Sequence, residues 1–294
     1  MKYFAVNGKE GATMAYSYGS LTELLSRAGM EDPATEAALL LETFAGVSRA
    51  ALMTDRRRLY DSPALEEAVS RRMSREPLQY ILGEWEFFGC PFTVNEHCLI
   101  PRPDTEILVE VALNLLPPNA RMVDLCTGSG CVAVATLVHR PDVTAAALEL
   151  FPETLALATR NAERNGVSDR FTPVCANLLT DGVRVLAQGA PYDAILSNPP
   201  YIPTAVIEGL SPEVRREPAA ALDGGADGLT FYRAILKEYA PLVKPGGHIL
   251  LEMGFDQAEA LKQLTAAYLP AASVEILRDL GGNDRVTKIT LPAV

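Results

Sequence analysis

The chain has 294 residues, 48% hydrophobic and 21% charged, which excludes global disorder and suits one large domain or two of ordinary size. Lys and Arg total 26 against 37 Asp and Glu, and residues 1–99 (10 against 14) and 100–294 (16 against 23) are both acidic, so neither half reads as a nucleic-acid clamp. No apolar run approaches the ~20 residues of a membrane span, and the first twenty residues lack the apolar centre of a signal peptide; the expectation is a cytoplasmic protein without membrane contact.

Residues 1–18 show no periodicity and read as a tail. Residues 19–78 read as a small helical domain. Asp32-Pro33 opens one helix, closed by Gly46, and Ser62-Pro63 opens another, LEEAVSRRMSRE. Arg56, Arg57 and Arg58, with Arg71, Arg72 and Arg75, are the densest basic feature and read as a solvated helix face rather than a contact patch. Residues 79–100 are rich in aromatic and β-branched side chains around Gly89, Cys90 and Pro91, which suggests a β-hairpin linking two domains. Pro101 and Pro103 then break the chain, and Thr105–Leu116 reads as a helix.

From Met122 onward strands alternate with helices. Strands are expected at 121–125, 143–148, 171–175, 193–197, 246–252, 273–278 and 286–291, and helices at 130–139, 152–165, 228–242 and 256–268. Such alternation implies an α/β fold with a mostly parallel sheet, closed by an antiparallel edge pair at the end of the chain. Ligands of these sheets bind beyond the carboxyl ends of the strands, where strand order reverses. Cys90, Cys98, Cys126, Cys131 and Cys175 are odd in number and form no CxxC, so they read as reduced thiols. His97, His139 and His248 are isolated, and no metal site is expected.

Two motifs carry chemistry. The first, Asp124-Leu125-Cys126-Thr127-Gly128-Ser129-Gly130-Cys131-Val132-Ala133, runs from a strand into a helix, with Glu149 at the end of the next strand. Its glycines permit a sharp turn and close backbone approach to a ligand. It also fits the dinucleotide pattern GxGxxA, so alone it leaves a nicotinamide cofactor and S-adenosylmethionine open; both offer ribose hydroxyls to Glu149. The second motif, Asn198-Pro199-Pro200-Tyr201, follows the apolar strand Ala194–Ser197. It suits a planar NH2 group. The Asn198 oxygen and the Pro199 carbonyl can each accept one N–H, Pro200 fixes the direction of that carbonyl, and Tyr201 offers a flat face. A nicotinamide oxidoreductase would leave this second motif unexplained and lacks a dedicated proton donor; a non-catalytic nucleotide-binding module is the other alternative, and cofactor turnover would exclude it.

With PLQYILGEWEFFG (77–89), LIPRPDTEILVE (99–110), DLCTGSGCVAVA (124–135), ILSNPPYIP (195–203) and EPAAALDGGADGLTFYR (217–233), the chain resembles the release factor glutamine methyltransferase family, the PrmC/HemK type. The likeness covers roughly residues 20–292. It implies a Rossmann-like class I S-adenosylmethionine-dependent methyltransferase domain at 101–294. The implied reaction is methyl transfer to the side-chain nitrogen (N5) of the glutamine in the GGQ loop of peptide chain release factors; a monomer is the default expectation, on which the sequence gives no signal. Carried over by position, the cofactor contacts are Cys126, Thr127, Gly128, Ser129, Gly130, Glu149, Asn177, Leu178 and Asn198. Asn198, Pro199 and Tyr201 are the catalytic residues, and Pro200 and Arg102 complete the substrate site. Cys126 stands where Gly is common in the family, Glu149 where Asp is common, and Asn177 where an acid is usual; Asn177 is expected to take an adenine N–H on its side-chain oxygen. Arg102 and Asp104 fall beside the active cleft, although a structural ion pair or a helix cap would explain them equally. The nearest alternatives are a glutamine methyltransferase of a ribosomal protein and an adenine-N6 methyltransferase of nucleic acid. The latter would need base flipping and a phosphate-binding surface, which the acidic halves disfavour.

Overall fold

The computed structural model describes residues 14–293, and its contacts divide the chain after Gly83 into two units. In the first, β1 (Ala15–Ser17) runs into α1 (Tyr18–Arg27), whose start is closed by a Ser17–Ser20 capping box. Helix α2 (Pro33–Ala45) begins and ends where the sequence signals it. Asp32 accepts the Thr35 N–H, Pro33 takes the first position, and Gly46 adopts φ 65°. Next come α3 (Arg49–Thr54), β2 (Leu59–Asp61), α4 (Pro63–Met73), capped by Ser62, and α5 (Leu78–Leu82). Leu21, Leu25, Leu40, Leu41, Leu52 and Leu65 are fully buried between these helices.

Two expectations change here. The tail at 1–18 ends in structure, because Ala15–Ser17 pairs antiparallel with Leu59–Asp61; residues 1–13 lie outside the described residues. Nor do the arginines form a solvated helix face. Arg56 and Arg57 sit in the turn before β2, where Arg56 stacks 4.8 Å from the Tyr18 ring centroid and Arg58 5.6 Å from that of Tyr60. Arg72 is buried and grips Glu36 of α2 with two bonds of 2.6 and 3.0 Å. A charge on an amphipathic helix turns inward when a partner waits on the neighbouring helix, and periodicity alone does not show that partner. Arg72→Ala would leave Glu36 as a poorly solvated unpaired charge, so it should lower unfolding stability by about 3 kcal/mol, read as a shift of the urea midpoint.

The second unit opens with the hairpin β3 (Glu84–Phe87) and β4 (Cys90–Thr93). Its Phe87 and Phe92 rings meet edge to face at 6.1 Å. The stretch expected as a linking hairpin, 79–100, thus begins inside α5 and then contributes a hairpin to the second unit. Thr93 exchanges bonds of 2.8 and 3.0 Å with the side chain of Asn161, which is fully buried.

After a 3-10 turn at Pro103–Thr105 the chain forms α6 (Glu106–Leu115), β5 (Arg121–Leu125), α7 (Cys131–His139), β6 (Thr144–Glu149), α8 (Pro152–Arg164), β7 (Phe171–Cys175), α9 (Gly182–Leu186) and β8 (Tyr192–Ser197). Helix α10 (Thr230–Ala234), β9 (Val243–Glu252), α11 (Ala258–Tyr268), β10 (Ser273–Arg278) and β11 (Asp284–Thr290) complete it. The seven-stranded sheet has the order β10-β11-β9-β8-β5-β6-β7, with β5 to β9 parallel and β11 antiparallel to both β9 and β10. This is the mostly parallel sheet with an antiparallel edge that the strand spacing predicts. The chain steps from β5 outward to β7, then returns to the other side of β5 as β8, so strand order reverses between β5 and β8. Both chemical motifs follow those two strands. The helix expected at 228–242 is instead a short α-helix, a π turn at Ile235–Tyr239 and a 3-10 turn at Ala240–Leu242. Pro241 cannot supply the next helical N–H, and the buried Tyr239 hydroxyl donates to the Leu178 carbonyl at 2.7 Å. Among the described residues no helix is long and apolar enough to cross a membrane.

Candidate active site

The glycine turn leaves β5 through Cys126, which holds φ 60°, followed by Gly128 at φ 56° and Gly130 at φ 82°. The left-handed backbone at Cys126 is the physical reason glycine suits that position, and a side chain there carries strain. A Cβ on Gly130 would lie 3.1 Å from that of Ala158, so α8 approaches the loop closely only because residue 130 is glycine. Three side chains hold the loop's shape. Asp124 accepts the Thr127 hydroxyl at 2.6 Å and the Ala133 N–H at 3.3 Å, and burial pushes its carboxyl up to about 7 against those two bonds. Asn161 donates to the Ser129 carbonyl at 2.9 Å. One buried amide therefore ties the glycine loop to the β-hairpin.

Glu149 closes β6 and is 8% exposed. Its Oε2 accepts the Gly128 N–H at 3.0 Å, and its Oε1 accepts those of Leu150 at 2.8 Å and Phe151 at 3.2 Å. Burial raises its pKa and the three N–H bonds pull it back. A carboxylate has about four acceptor sites, so in this orientation roughly one remains for a ribose hydroxyl, not the two that the sequence suggests. Asn177 differs from its expectation in the same way. Its side-chain oxygen already accepts the Leu179 N–H at 2.8 Å in an Asx turn, and an adenine N–H would have to share that oxygen.

The second motif turns away from β8. The Ser197 hydroxyl donates to the Leu125 carbonyl at 2.6 Å and stitches the two strand ends together. The Asn198 side chain donates its NH2 to the Thr105 hydroxyl oxygen at 3.1 Å. Thr105 is 1% exposed and favours the charged form of the buried Glu252 carboxyl, at the end of β9. The Tyr201 carbonyl accepts the Gln257 side chain at 3.0 Å. A Cβ on Gly224 would lie 2.7 Å from the Tyr201 Cα, so the 217–233 segment seats directly on the corner. Burial pushes the Tyr201 hydroxyl up to about 12, which keeps it neutral.

These parts line one cleft at the carboxyl ends of the strands. It contains Cys126, Thr127, Gly128 and Ser129 of the first loop, then Glu149, Asn177 and Leu178, and Asn198, Pro200 and Arg102 opposite. Gly130, Pro199 and Tyr201 do not line it. Gly130 packs under α8, and the other two belong to the corner behind Asn198 and Pro200. Arg102 bonds Glu217, which is 5% exposed and also accepts the Ile100 N–H at 2.9 Å. Asp104 pairs with Arg285 at 3.0 Å, and the helix after it begins without a side-chain cap. Both residues are therefore members of structural ion pairs, and the cap reading of Asp104 is not what forms. Arg102 clamps the 99–110 segment to the 217–233 segment while facing the cleft. Sequence reasoning missed Thr105, Asn161, Glu252 and Gln257. For Glu252 the signal was available: it ends an apolar strand as Glu149 does. For the others there was none.

The site fits a nucleoside with a charged or polar tail. The loop N–H groups and Glu149 offer polar contacts, and Leu178 and Phe151 offer apolar walls. Residues 20–83 match the family described as PrmC N-terminal domain, and residues 103–210 the one described as Methyltransferase small domain. The release factor glutamine methyltransferase of Geobacter sulfurreducens is 44% identical over 246 residues, covering 81% of this chain and 82% of that protein. That of Caulobacter vibrioides is 37% identical over 280 residues, covering 93% and 95%. A methyltransferase from Pyrococcus furiosus, of solved structure, shares the fold with a TM-score of 0.50 at 19% identity, over 71% of this chain and 91% of that one. On identity over most of its length to such relatives, the chain belongs to the release factor glutamine methyltransferase family.

Proposed function

We propose that this chain transfers a methyl group from S-adenosylmethionine to N5 of the glutamine in the GGQ loop of peptide chain release factors. The observation that carries the reading is the orientation of Asn198. Its NH2 is given to Thr105, so its carbonyl oxygen is left to accept from a carboxamide in the cleft. S-adenosylmethionine supplies a methyl group activated by a sulfonium sulfur. The chain's own residues bind and aim the amide. Asn198 Oδ1 takes one N–H; Pro199 and Tyr201 stand behind Asn198 and Pro200, so the Pro199 carbonyl takes the other N–H, and Tyr201 limits tilt, once the amide reaches past that pair. An amide nitrogen is a poor nucleophile because its lone pair is delocalised, so orientation and preorganised acceptors supply most of the acceleration. The cofactor contacts are Glu149 on the ribose, Asn177 and Leu178 near the adenine, and Cys126 to Gly130 along the loop. The helical unit before Gly83 recognises the protein substrate, and Arg102 borders the glutamine site. The chain acts as a monomer in the cytoplasm and without nucleic acid, the last of which its net charge of −11 supports.

The test is incubation with S-adenosylmethionine labelled on its methyl group and either a release factor or its GGQ→GGA variant. Label in the first and none in the second is expected. Equal labelling of both would exclude that glutamine, and labelling of a ribosomal protein in place of the release factor would transfer the reading to that substrate.

A further inference from the structure

Gln257 stands in the turn between β9 and α11, is 8% exposed, and lies outside the residues that line the cleft. It occupies the N-cap position of α11 but gives that helix no side-chain bond. Ser, Thr, Asp or Asn would serve the helix there, so the longer amide answers to something else. Its Oε1 accepts the Gly254 N–H at 3.0 Å and the Tyr232 hydroxyl at 3.4 Å. Its Nε2 donates to the Tyr201 carbonyl at 3.0 Å and to the Gly228 carbonyl at 3.4 Å. Donors on one side and two carbonyls on the other allow this amide one orientation; turned over, it would set donor against donor and acceptor against acceptor. Gly228 makes the approach possible, since a Cβ there would lie 2.3 Å from the Tyr201 oxygen and 2.8 Å from Gln257 Nε2. One buried side chain thus joins the turn after β9, helix α10, the 217–233 segment and the last residue of the Asn198–Tyr201 corner.

We propose that Gln257 is a positioning residue for methyl transfer: by holding the Tyr201 carbonyl it fixes the far end of the corner, and with it the direction of the Pro199 carbonyl. The proposal rests on the reading of that corner as the seat of the substrate amide. The near end is held by Ser197 on Leu125 and by Asn198 on Thr105. Past the far end, the Ile202 N–H meets the Leu222 carbonyl at 3.0 Å and the Gly224 N–H meets the Ile202 carbonyl at 2.9 Å. Between them Pro199 and Pro200 have no N–H with which to anchor themselves, but their rings set φ. With both ends fixed, few rotations remain that could turn the Pro199 carbonyl. Releasing Tyr201 returns freedom to the ψ angles of the two prolines, and a displacement of about 1 Å at a reacting group can cost 10²-fold in rate. Gln257 reaches neither substrate nor cofactor and acts through Tyr201.

The experiment compares Gln257→Met, which has a similar length but no donor, with Tyr232→Phe. The latter removes the hydroxyl on the other side of the same amide and its bond of 2.8 Å to the Glu252 carbonyl. Measured are the melting temperature, kcat and KM for a release factor at saturating S-adenosylmethionine, and cofactor affinity by calorimetry. Both variants should melt at lower temperature. Gln257→Met should lower kcat about 10–100-fold, while KM and cofactor affinity change by less than about threefold, under the worth of one hydrogen bond. Tyr232→Phe should keep kcat within about threefold of the unaltered protein. A purely structural Gln257 would lower both melting temperatures and leave kcat of the folded protein alone. If Gln257→Met does not fold, Gln257→Asn replaces it, because its amide is one methylene short of the Tyr201 carbonyl and should lose kcat in the same way. A normal kcat in the Gln257 variant, an equal loss in Tyr232→Phe, or a loss carried by cofactor affinity would overturn the proposal. Normal turnover in Asn198→Ala would instead overturn the reading of the corner itself.

Discussion

Asn198→Ala should lower the rate of methyl transfer by about 10²–10³-fold, the scale seen when a preorganised hydrogen-bonding group is removed from a reacting centre. S-adenosylmethionine affinity should change by less than about tenfold, because that substitution leaves the glycine loop and Glu149 intact. The reasoning is geometric. The Asn198 side chain is anchored on one side by Thr105 at 3.1 Å, and its backbone follows Ser197, which is locked to Leu125 at 2.6 Å. Its free oxygen is therefore set before the substrate arrives, and the transfer step incurs no reorganisation. Ala keeps the backbone course of the corner but removes the acceptor. Single-turnover kinetics with pre-bound cofactor measures the step directly, and calorimetry measures the binding. Near-normal turnover would place the amide-binding group elsewhere. Asn198→Asp is informative beside it: it keeps an acceptor toward the cleft but loses the NH2 that is given to Thr105, so it should also be slow.

Glu149→Ala should weaken S-adenosylmethionine binding by about 10–100-fold, the equivalent of one hydrogen bond to a charged group. Loss of a ribose contact is only part of the effect. The carboxylate also satisfies the N–H groups of Gly128, Leu150 and Phe151, and without it the turn after β5 loses its tie to the end of β6. Glu149→Gln should be nearly as damaging, since its NH2 must face either Gly128 or the Leu150–Phe151 pair, a donor against donors. Calorimetric affinity unchanged in both variants would exclude Glu149 from the cofactor site.

The strands after residue 120 and the helices 33–45, 131–139 and 152–164 were legible because their signals are local. Pro at a helix start, Gly beyond an end and runs of alternating type report on the few residues around them. The two loops were legible for the same reason: glycine and proline restrict the backbone wherever they stand. The sequence misled where a local preference met a distant partner. Arg72 reads as solvated until Glu36 lies beside it, and for Asp104 only the position of Arg285 decides between an ion pair and a helix cap. The 228–242 segment reads as one helix although Pro241 inside it removes a helical N–H, a local signal that the apolar run outweighed.

That this chain turns a glycine loop toward a ribose acid, and a proline-stiffened corner toward a flat NH2 group, is written in the order of its amino acids. Which atoms remain free in that cleft was decided by tertiary contact alone. Asn198 meets Thr105 across 93 positions, Ile100 meets Glu217 across 117, and Thr93 meets Asn161 across 68. A side chain has few donors and acceptors, and whichever of them the fold consumes is no longer available to a substrate. Pairings at such separations leave no periodic trace, so only the folded chain shows that Glu149 has about one acceptor site left, that the Asn177 oxygen is already shared, and that the carbonyl of Asn198 stays open.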